Sequence, residues 1–260
     1  MKKILALLVC IAFLSFAKAQ SFEIGGRYMA MSNWFFNSNV TNSGGTQGSA
    51  TEDYAASYSY SYGLHLAYNF TDHTGLEVNL MMASLTQSYT GNFASSPGFV
   101  YNDYSTVGFP YYPSGDYKAT STINAIQIPV MFRFLSGNGA YVEAGPQIEL
   151  VSNANYAATY KEGPISSYNE NTKPYYTSNY FSGVLAFGNN IRLAKSFFFN
   201  INLRLIYDFT DLKGVDAMGE NMKDSRLYSG ATPMYSSYAP TNAVSASFGV
   251  GFVYRFGHDF

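Results

Sequence analysis

"YSYSYGLHLAYNF", Tyr58 to Phe70, alternates without a break. Its even positions are Tyr58, Tyr60, Tyr62, Leu64, Leu66, Tyr68 and Phe70. Its odd positions are Ser59, Ser61, Gly63, His65, Ala67 and Asn69. A period of two over this length is that of a β-strand with two unlike faces. Which face meets a core, and what meets the other, decides the architecture.

The pattern recurs along the chain, and eight strands are expected. The first, residues 22–36, sets Phe22, Ile24, Tyr28, Ala30 and Trp34 against Glu23, Gly25 and Arg27. The quoted stretch is the second. The third, 75–86, sets Leu76, Val78, Leu80 and Met82 against Glu77 and Asn79. The fourth, 123–134, sets Ile126, Ile128, Val130, Phe132 and Phe134 against Gln127 and Arg133. The fifth, 140–152, sets Val142, Ala144, Ile148 and Leu150 against Glu143, Gln147 and Glu149. The sixth, 180–193, sets Phe181, Leu185, Phe187, Ile191 and Leu193 against Asn190 and Arg192. The seventh, 197–211, sets Phe199, Ile201, Leu203, Leu205, Tyr207 and Phe209 against Asn200, Asn202, Arg204 and Asp208. The eighth, 243–257, sets Val244, Ala246, Phe248, Val250, Phe252, Tyr254 and Phe256 against Ser245, Ser247, Gly249, Gly251 and Arg255.

Three connections are short (71–74, 135–139 and 194–196). Four are long (37–53, 87–122, 153–179 and 212–242). Short turns at one end and long loops at the other predict an all-β, eight-stranded antiparallel up-and-down barrel. A soluble barrel and a membrane barrel share this outline and differ in which face is inside. The charges choose between them. No charged residue falls on an apolar face. Arg27, Arg133, Arg192, Arg204 and Arg255 share the polar faces with Glu23, Glu77, Glu143, Glu149 and Asp208, while the lysines Lys118, Lys161, Lys173, Lys195, Lys213 and Lys223 are expected in loops or turns. A water-facing sheet uses lysine freely, whereas a closed interior favours arginine, whose planar fork pairs with carboxylates. The polar face is therefore read as a lumen and the apolar face as lipid-facing. The expected lumen set is Glu23, Arg27, His65, Glu77, Arg133, Glu143, Glu149, Arg192, Arg204, Asp208 and Arg255, a plug of ion pairs in which Arg133 and Glu143 are neighbours. Eight strands leave an interior that side chains fill, so no open channel is expected.

The aromatics divide into two girdles. Tyr68, Phe70, Phe132, Phe134, Phe199, Tyr254 and Phe256 lie toward the short-turn end, and Trp34, Tyr58, Tyr60, Tyr207 and Phe209 toward the loops, where rings favour membrane–water interfaces. Tyrosine and phenylalanine number 24 and 21 while charged residues are 12% of the chain, about half the usual share of roughly 25%. Such a composition suits a belt against lipid.

The first residues read as an export signal: Lys2 and Lys3, an apolar run over 4–16, and Ala17-Lys18-Ala19 before Gln20. The expected division is a signal peptide over 1–19 and one barrel domain over 20–260. The single cysteine, Cys10, lies in the leader, so the mature chain is expected to hold no disulfide. Over the whole chain the formal charge is −2, and losing Lys2, Lys3 and Lys18 makes it more acidic, which argues against nucleic acid as a partner.

The run "IQIPVMFRFLSGNGAYVEAGPQIEL" (Ile126 to Leu150) resembles the small outer-membrane β-barrel domain family of OmpA-like and PorT-like barrels. That family often has an Ile/Leu-x-Ile-Pro strand ending near a basic residue, then a short turn and a strand with Ala-Gly-Pro. Here these are Ile126 to Pro129, Arg133, and Ala144 to Pro146. Pro129 and Pro146 fall nearly opposite each other, where a shared bulge is expected. The end resembles outer-membrane proteins that finish on an aromatic strand read by the barrel assembly machinery. Phe260 is last, and Tyr254-Arg255-Phe256 precedes "GHDF". The resemblance implies a bacterial outer-membrane location and contact with outer-membrane lipid, and no single activity.

No His, Cys and Asp spacing suggests a metal, no cofactor is expected, and no catalytic residue is assigned. His73 and His258 lie outside strand interiors. His65 beside Glu77 has the composition of an acid–base pair, and is read instead as a lumen histidine in a hydrogen-bond network. "GVGF" (Gly249 to Phe252) lacks the strand–turn–helix setting of a phosphate loop, and its glycines are expected to make room in the lumen. Phe99 to Tyr117 and Arg226 to Pro240 mix Tyr with Ser, Gly, Asn and Pro, as binding loops do. They either bind an extracellular ligand or protein, or cap the barrel. A structural or surface-binding role through these loops is expected. The alternatives are a narrow porin or transporter and, third, a lipid-acting enzyme.

Overall fold

In the computed structural model the described residues are 21–37, 46–47, 50–93, 114–162, 167–213 and 240–257. The leader, most of the two Tyr-rich loop stretches, Lys223, His258 and Phe260 lie outside them. The described residues form eleven strands: β1 (Ser21–Asn37), β2 (Thr46–Gln47), β3 (Ala50–Ala55), β4 (Ser59–Asn69), β5 (Thr74–Phe93), β6 (Ser114–Leu135), β7 (Ala140–Glu162), β8 (Ser167–Asn171), β9 (Asn179–Ala194), β10 (Phe197–Asp208) and β11 (Thr241–Gly257).

Eight of them, β1, β4, β5, β6, β7, β9, β10 and β11, form an antiparallel ring. β1 closes it against β11 from Ser21 opposite Gly257 to Asn37 opposite Thr241. Every strand of the ring thus has two partners, and no backbone edge faces lipid, as a membrane-spanning sheet requires. The alternating faces sort as charge demands. Ile24, Leu64, Leu80, Phe132, Leu205 and Phe248 point outward, while Glu23, His65, Asn79, Arg133, Arg204 and Ser247 are buried inside. β10, with 12 residues, is about 40 Å long at ~3.3 Å per residue. Tilted by ~40°, that crosses an apolar band of about 25 Å. A closed barrel with an apolar belt and a polar interior is how bacterial outer-membrane proteins cross their membrane, and the chain is an outer-membrane barrel of eight strands.

β5, β6 and β7 run well past the ring, with 20, 22 and 23 residues. The expected long loops over 87–122 and 153–179 are therefore partly sheet. Beyond the ring the strands exchange partners. β4 leaves β5 after Tyr60 opposite Ser84, and β3 takes its place from Ala55 opposite Ser88. Across the break, Ser59 Oγ accepts from Thr86 N (2.8 Å) and Ser57 Oγ from Ser88 N (2.7 Å). Likewise β9 leaves β7 after Leu150 opposite Asn179, and β8 resumes from Asn155 opposite Asn171. The result is an extension of the sheet, a blade, in the order β3-β5-β6-β7-β8 with β2 beyond β3, that continues β5, β6 and β7 past the ring. Two lysines expected in loops are here in strands: Lys118 in β6 and Lys161 in β7, the latter 3.1 Å from Asp116. Outside the belt there is no lipid to exclude them.

No bulge occurs at the prolines. Pro129 faces Gln147 and Phe132 faces Ala144 in one register, with two unpaired rungs between. The register shifts lie instead between Asn124 and Ala125 and between Ser114 and Tyr117. A side chain at Gly145 would collide with the Val130 carbonyl oxygen, so the two strands close up beside the missing proline donor without a bulge.

Candidate functional site

The lumen is filled in tiers. The lowest centres on Arg133, fully buried. Its Nε donates to Glu143 Oε1 (2.6 Å), Nη1 to Glu23 Oε2 (2.6 Å) and Nη2 to Glu77 Oε2. One guanidinium thus joins carboxylates from β1, β5 and β7, with its plane over the Tyr141 ring at 4.8 Å. Gly188 lies opposite Tyr141 on β9, and a Cβ there would strike that ring. Arg27 Nη1 donates to Glu77 Oε1 (2.6 Å), and its Nη2 lies 3.2 Å from His65 Nδ1. The same Nδ1 lies 3.3 Å from Glu77 Oε2 and Nε2 lies 3.5 Å from Glu23 Oε2, so the ring is held among Arg27, Glu77 and Glu23. Asn69 and Asn79 donate to Glu23 (3.1 Å) and Glu77 (2.7 Å). Arg255 donates through Nε to Glu23 Oε1 (2.8 Å) and covers the Phe198 ring at 4.4 Å, closing the tier toward the short turns.

Arg192 does not join this set. It is exposed at the end of β9, and its Nη2 donates to Lys195 O (3.0 Å) in the adjoining turn. The β9–β10 register shifts between Phe197 and Phe198, and strict alternation fails at that rim.

Glu149 and Asp208 are in the lumen and pair with no arginine among the described residues. Glu149 Oε2 accepts from Gln127 (2.8 Å) and Tyr180 (2.8 Å), and Oε1 from Gln147 (2.6 Å) and Ser182 (2.8 Å). Ser182 Oγ is also 2.7 Å from Asp208 Oδ1, and its one proton serves one carboxylate at a time. A lumen held by Arg–carboxylate pairs throughout is thereby corrected. Neutral donors surround Glu149, Asp208 shares Ser182 with it, and among the described residues neither acid has an ion pair with an arginine.

Toward the loops the lumen turns apolar. Met29, Met31, Phe35, Met81, Ala83, Leu85, Ile123, Val151 and Ala154 form one buried cluster with Tyr176 and Leu212. The last two come from the described loop segments 172–178 and 209–213, which cover the apolar cluster. Thr177 N donates to Leu212 O (3.0 Å) and Leu212 N to Thr241 O (2.9 Å). Asp211 Oδ1 accepts from Thr241 N and Lys213 N, both 2.9 Å. Sequence reading missed this tier, although the run Leu80 to Ala83 is apolar on both faces. It also missed Tyr180 and Ser182, whose signal was their place on the inward parity of β9.

Of the girdle residues, Trp34, Tyr58, Tyr60, Phe132, Phe134, Tyr207, Phe209, Tyr254 and Phe256 are exposed on the outer wall, and Tyr68, Phe70 and Phe199 partly so. Neighbouring rings meet edge to face: Tyr68 with Phe70 at 5.4 Å, Phe132 with Phe134 at 4.9 Å, Tyr207 with Phe209 at 5.3 Å and Tyr254 with Phe256 at 4.7 Å.

Among the described residues no group of three or more His, Cys, Asp or Glu is placed to hold a metal. His65, the one strand histidine among the described residues, is enclosed by Arg27, Glu23 and Glu77, and its ring is fully buried.

No family model matches the chain, and no curated protein matches its sequence. Among solved structures it is similar to Neisserial surface protein A, with 8% identity and a TM-score of 0.38 over 92% of this chain and 100% of that one. It is also similar to the outer membrane protein OprG from Pseudomonas aeruginosa, with 13% identity and a TM-score of 0.38 over 93% and 98%. The outer membrane protease OmpT from Escherichia coli gives 9% and 0.41 over 91% and 96%. Scores this low carry no assignment of activity, and the barrel stands on its own strand order and outward belt.

Proposed function

We propose that the protein is a non-conducting outer-membrane anchor that displays the β3-β5-β6-β7-β8 blade and its loops to an extracellular ligand or protein, acting by binding and not by catalysis. The observation that carries this reading is the contrast between ring and blade. Inside the ring, an ionic tier, a carboxylate–amide tier and an apolar tier follow one another under a hydrogen-bonded cap. Beyond the ring, β5 to β7 continue as hydrogen-bonded sheet that the belt does not require. Ordered, polar, aromatic-rich sheet past the membrane surface suits adaptable contact.

The register supplies the test. Thr86 faces Thr122, and Asn155 faces Asn171. Short turns across those two rungs would remove residues 87–121 and 156–170 while leaving the ring. Cells displaying the full or the bladeless barrel are compared on arrays of immobilised glycans and surface proteins, with folding checked by heat-dependent gel mobility. Binding by the full barrel alone is expected. A folded bladeless barrel that keeps every interaction of the full one would overturn the reading.

A further inference from the structure

We propose that the lower lumen holds a small inorganic anion, of halide size, between Arg27 and Arg204. The lowest tier contains four guanidinium groups, Arg27, Arg133, Arg204 and Arg255, and three carboxylates, Glu23, Glu77 and Glu143. The carboxylates are largely spoken for. Glu23 receives Arg133, Arg255 and Asn69. Glu77 receives Arg27, Arg133 and Asn79. Glu143 receives Arg133 through Oε1.

Arg204 is left over. Its side chain is 3% exposed, and its nearest carboxylate oxygen is Glu77 Oε1 at 3.5 Å, already taken by Arg27 Nη1 at 2.6 Å. Arg204 Nε and Nη2 and Arg27 Nε are buried donors without a hydrogen-bond partner among the described residues. Two like charges therefore flank one shared carboxylate oxygen, with three N–H-bearing nitrogens unused. A buried guanidinium without a counter-charge is strongly destabilising, whereas a charge-assisted hydrogen bond to an anion answers both the charge and the donors. Arg204 also shares the field of Glu143 and Tyr141, and Glu143 Oε2 is the one carboxylate oxygen of the tier left without a donor. It is the internal competitor for Arg204. Met29 and Asn202 fill the space beside Gly249, and Tyr141 that beside Gly188, so the lumen near the two arginines is crowded with side chains and favours a small occupant.

The purified barrel, refolded in detergent, is crystallised with bromide as the probe. An anomalous peak beside Arg204 is expected, and none in Arg204→Met. In solution, thermal unfolding is followed at constant ionic strength as bromide replaces gluconate, an anion too large for the lumen. A saturable rise of a few degrees is expected for the wild type, because a ligand that binds only the folded state raises its midpoint. Arg204→Met should lose it, and Arg204→Lys, which keeps the charge, should retain part. Equal midpoints in bromide and gluconate would overturn the proposal. So would a bromide effect undiminished in Arg204→Met, or wild-type crystals with Arg204 on Glu143 and no peak.

Discussion

Arg133 and Glu143 face each other on directly paired rungs of the β6–β7 hairpin, 2.6 Å apart, beside the turn that joins the two strands. The pairing is local in sequence, yet the same guanidinium reaches Glu23 on β1 and Glu77 on β5. A two-strand unit thereby becomes the hub of the closed ring, and its removal leaves three buried carboxylates without their shared cation.

Arg133→Met should therefore cost on the order of 3–5 kcal/mol, the range for breaking a buried charge pair from one side. Urea unfolding from lipid vesicles measures it. Arg133→Lys should recover only part, since an ammonium cannot span three carboxylates from three strands with a fixed fork.

The two upper acids should behave differently from the lower ones. Asp208→Asn removes one of two like charges bridged by Ser182, and should change stability by about 1 kcal/mol or less. Glu77→Gln strands both Arg27 and Arg133 and should cost several times more, again about 3–5 kcal/mol. Equal effects of the two variants in the same unfolding assay would contradict the separation of the tiers.

Met81 lies in the apolar tier and is fully buried. Met81→Ala should destabilise by ~2–4 kcal/mol, as core truncations do, whereas the outward-facing Met82 should lose less when cut to Ala. Were the upper lumen water-filled, Met81→Ala would be nearly silent.

Leu203 points outward halfway along β10. Leu203→Arg should cost about 2–4 kcal/mol, the penalty for arginine at the middle of the belt. Lys118→Glu, on the exposed blade part of β6, should stay within about 0.5 kcal/mol. Folding yield into vesicles reads both.

Alternation was enough to read the ring because lipid and lumen act on successive residues in opposite ways. Residues 59–69 obey it at every position. It failed where one of the two environments is missing. In the blade part of β5 the outward parity passes to Ser88 and Thr90 while Tyr89 is buried, so the lipid-facing pattern of the ring is lost there. Met29, Met31 and Phe35 carry apolar side chains on the lumen face, because the upper lumen is a dry core in which packing and not charge satisfies the wall. Arg192 has the right parity, but a register shift at the neighbouring strand end turns it out to the rim. The pairing of Arg133 with Glu143 was accessible because a short hairpin fixes its register. The link from Arg133 to Glu77 depends on the β5–β6 register across a long connection, and the link to Glu23 on the curvature that brings β1 across the lumen, and no local pattern encodes either.

The central claim is that the lumen is sealed and the blade carries the activity. Single-channel recording of the refolded barrel in a planar bilayer tests it most directly, with heat-dependent gel mobility confirming the fold. A silent membrane is predicted for the wild type, with the Arg133 tier in place. Steady, reproducible conductance steps from the folded wild-type protein would contradict the account and assign the lumen a transport role.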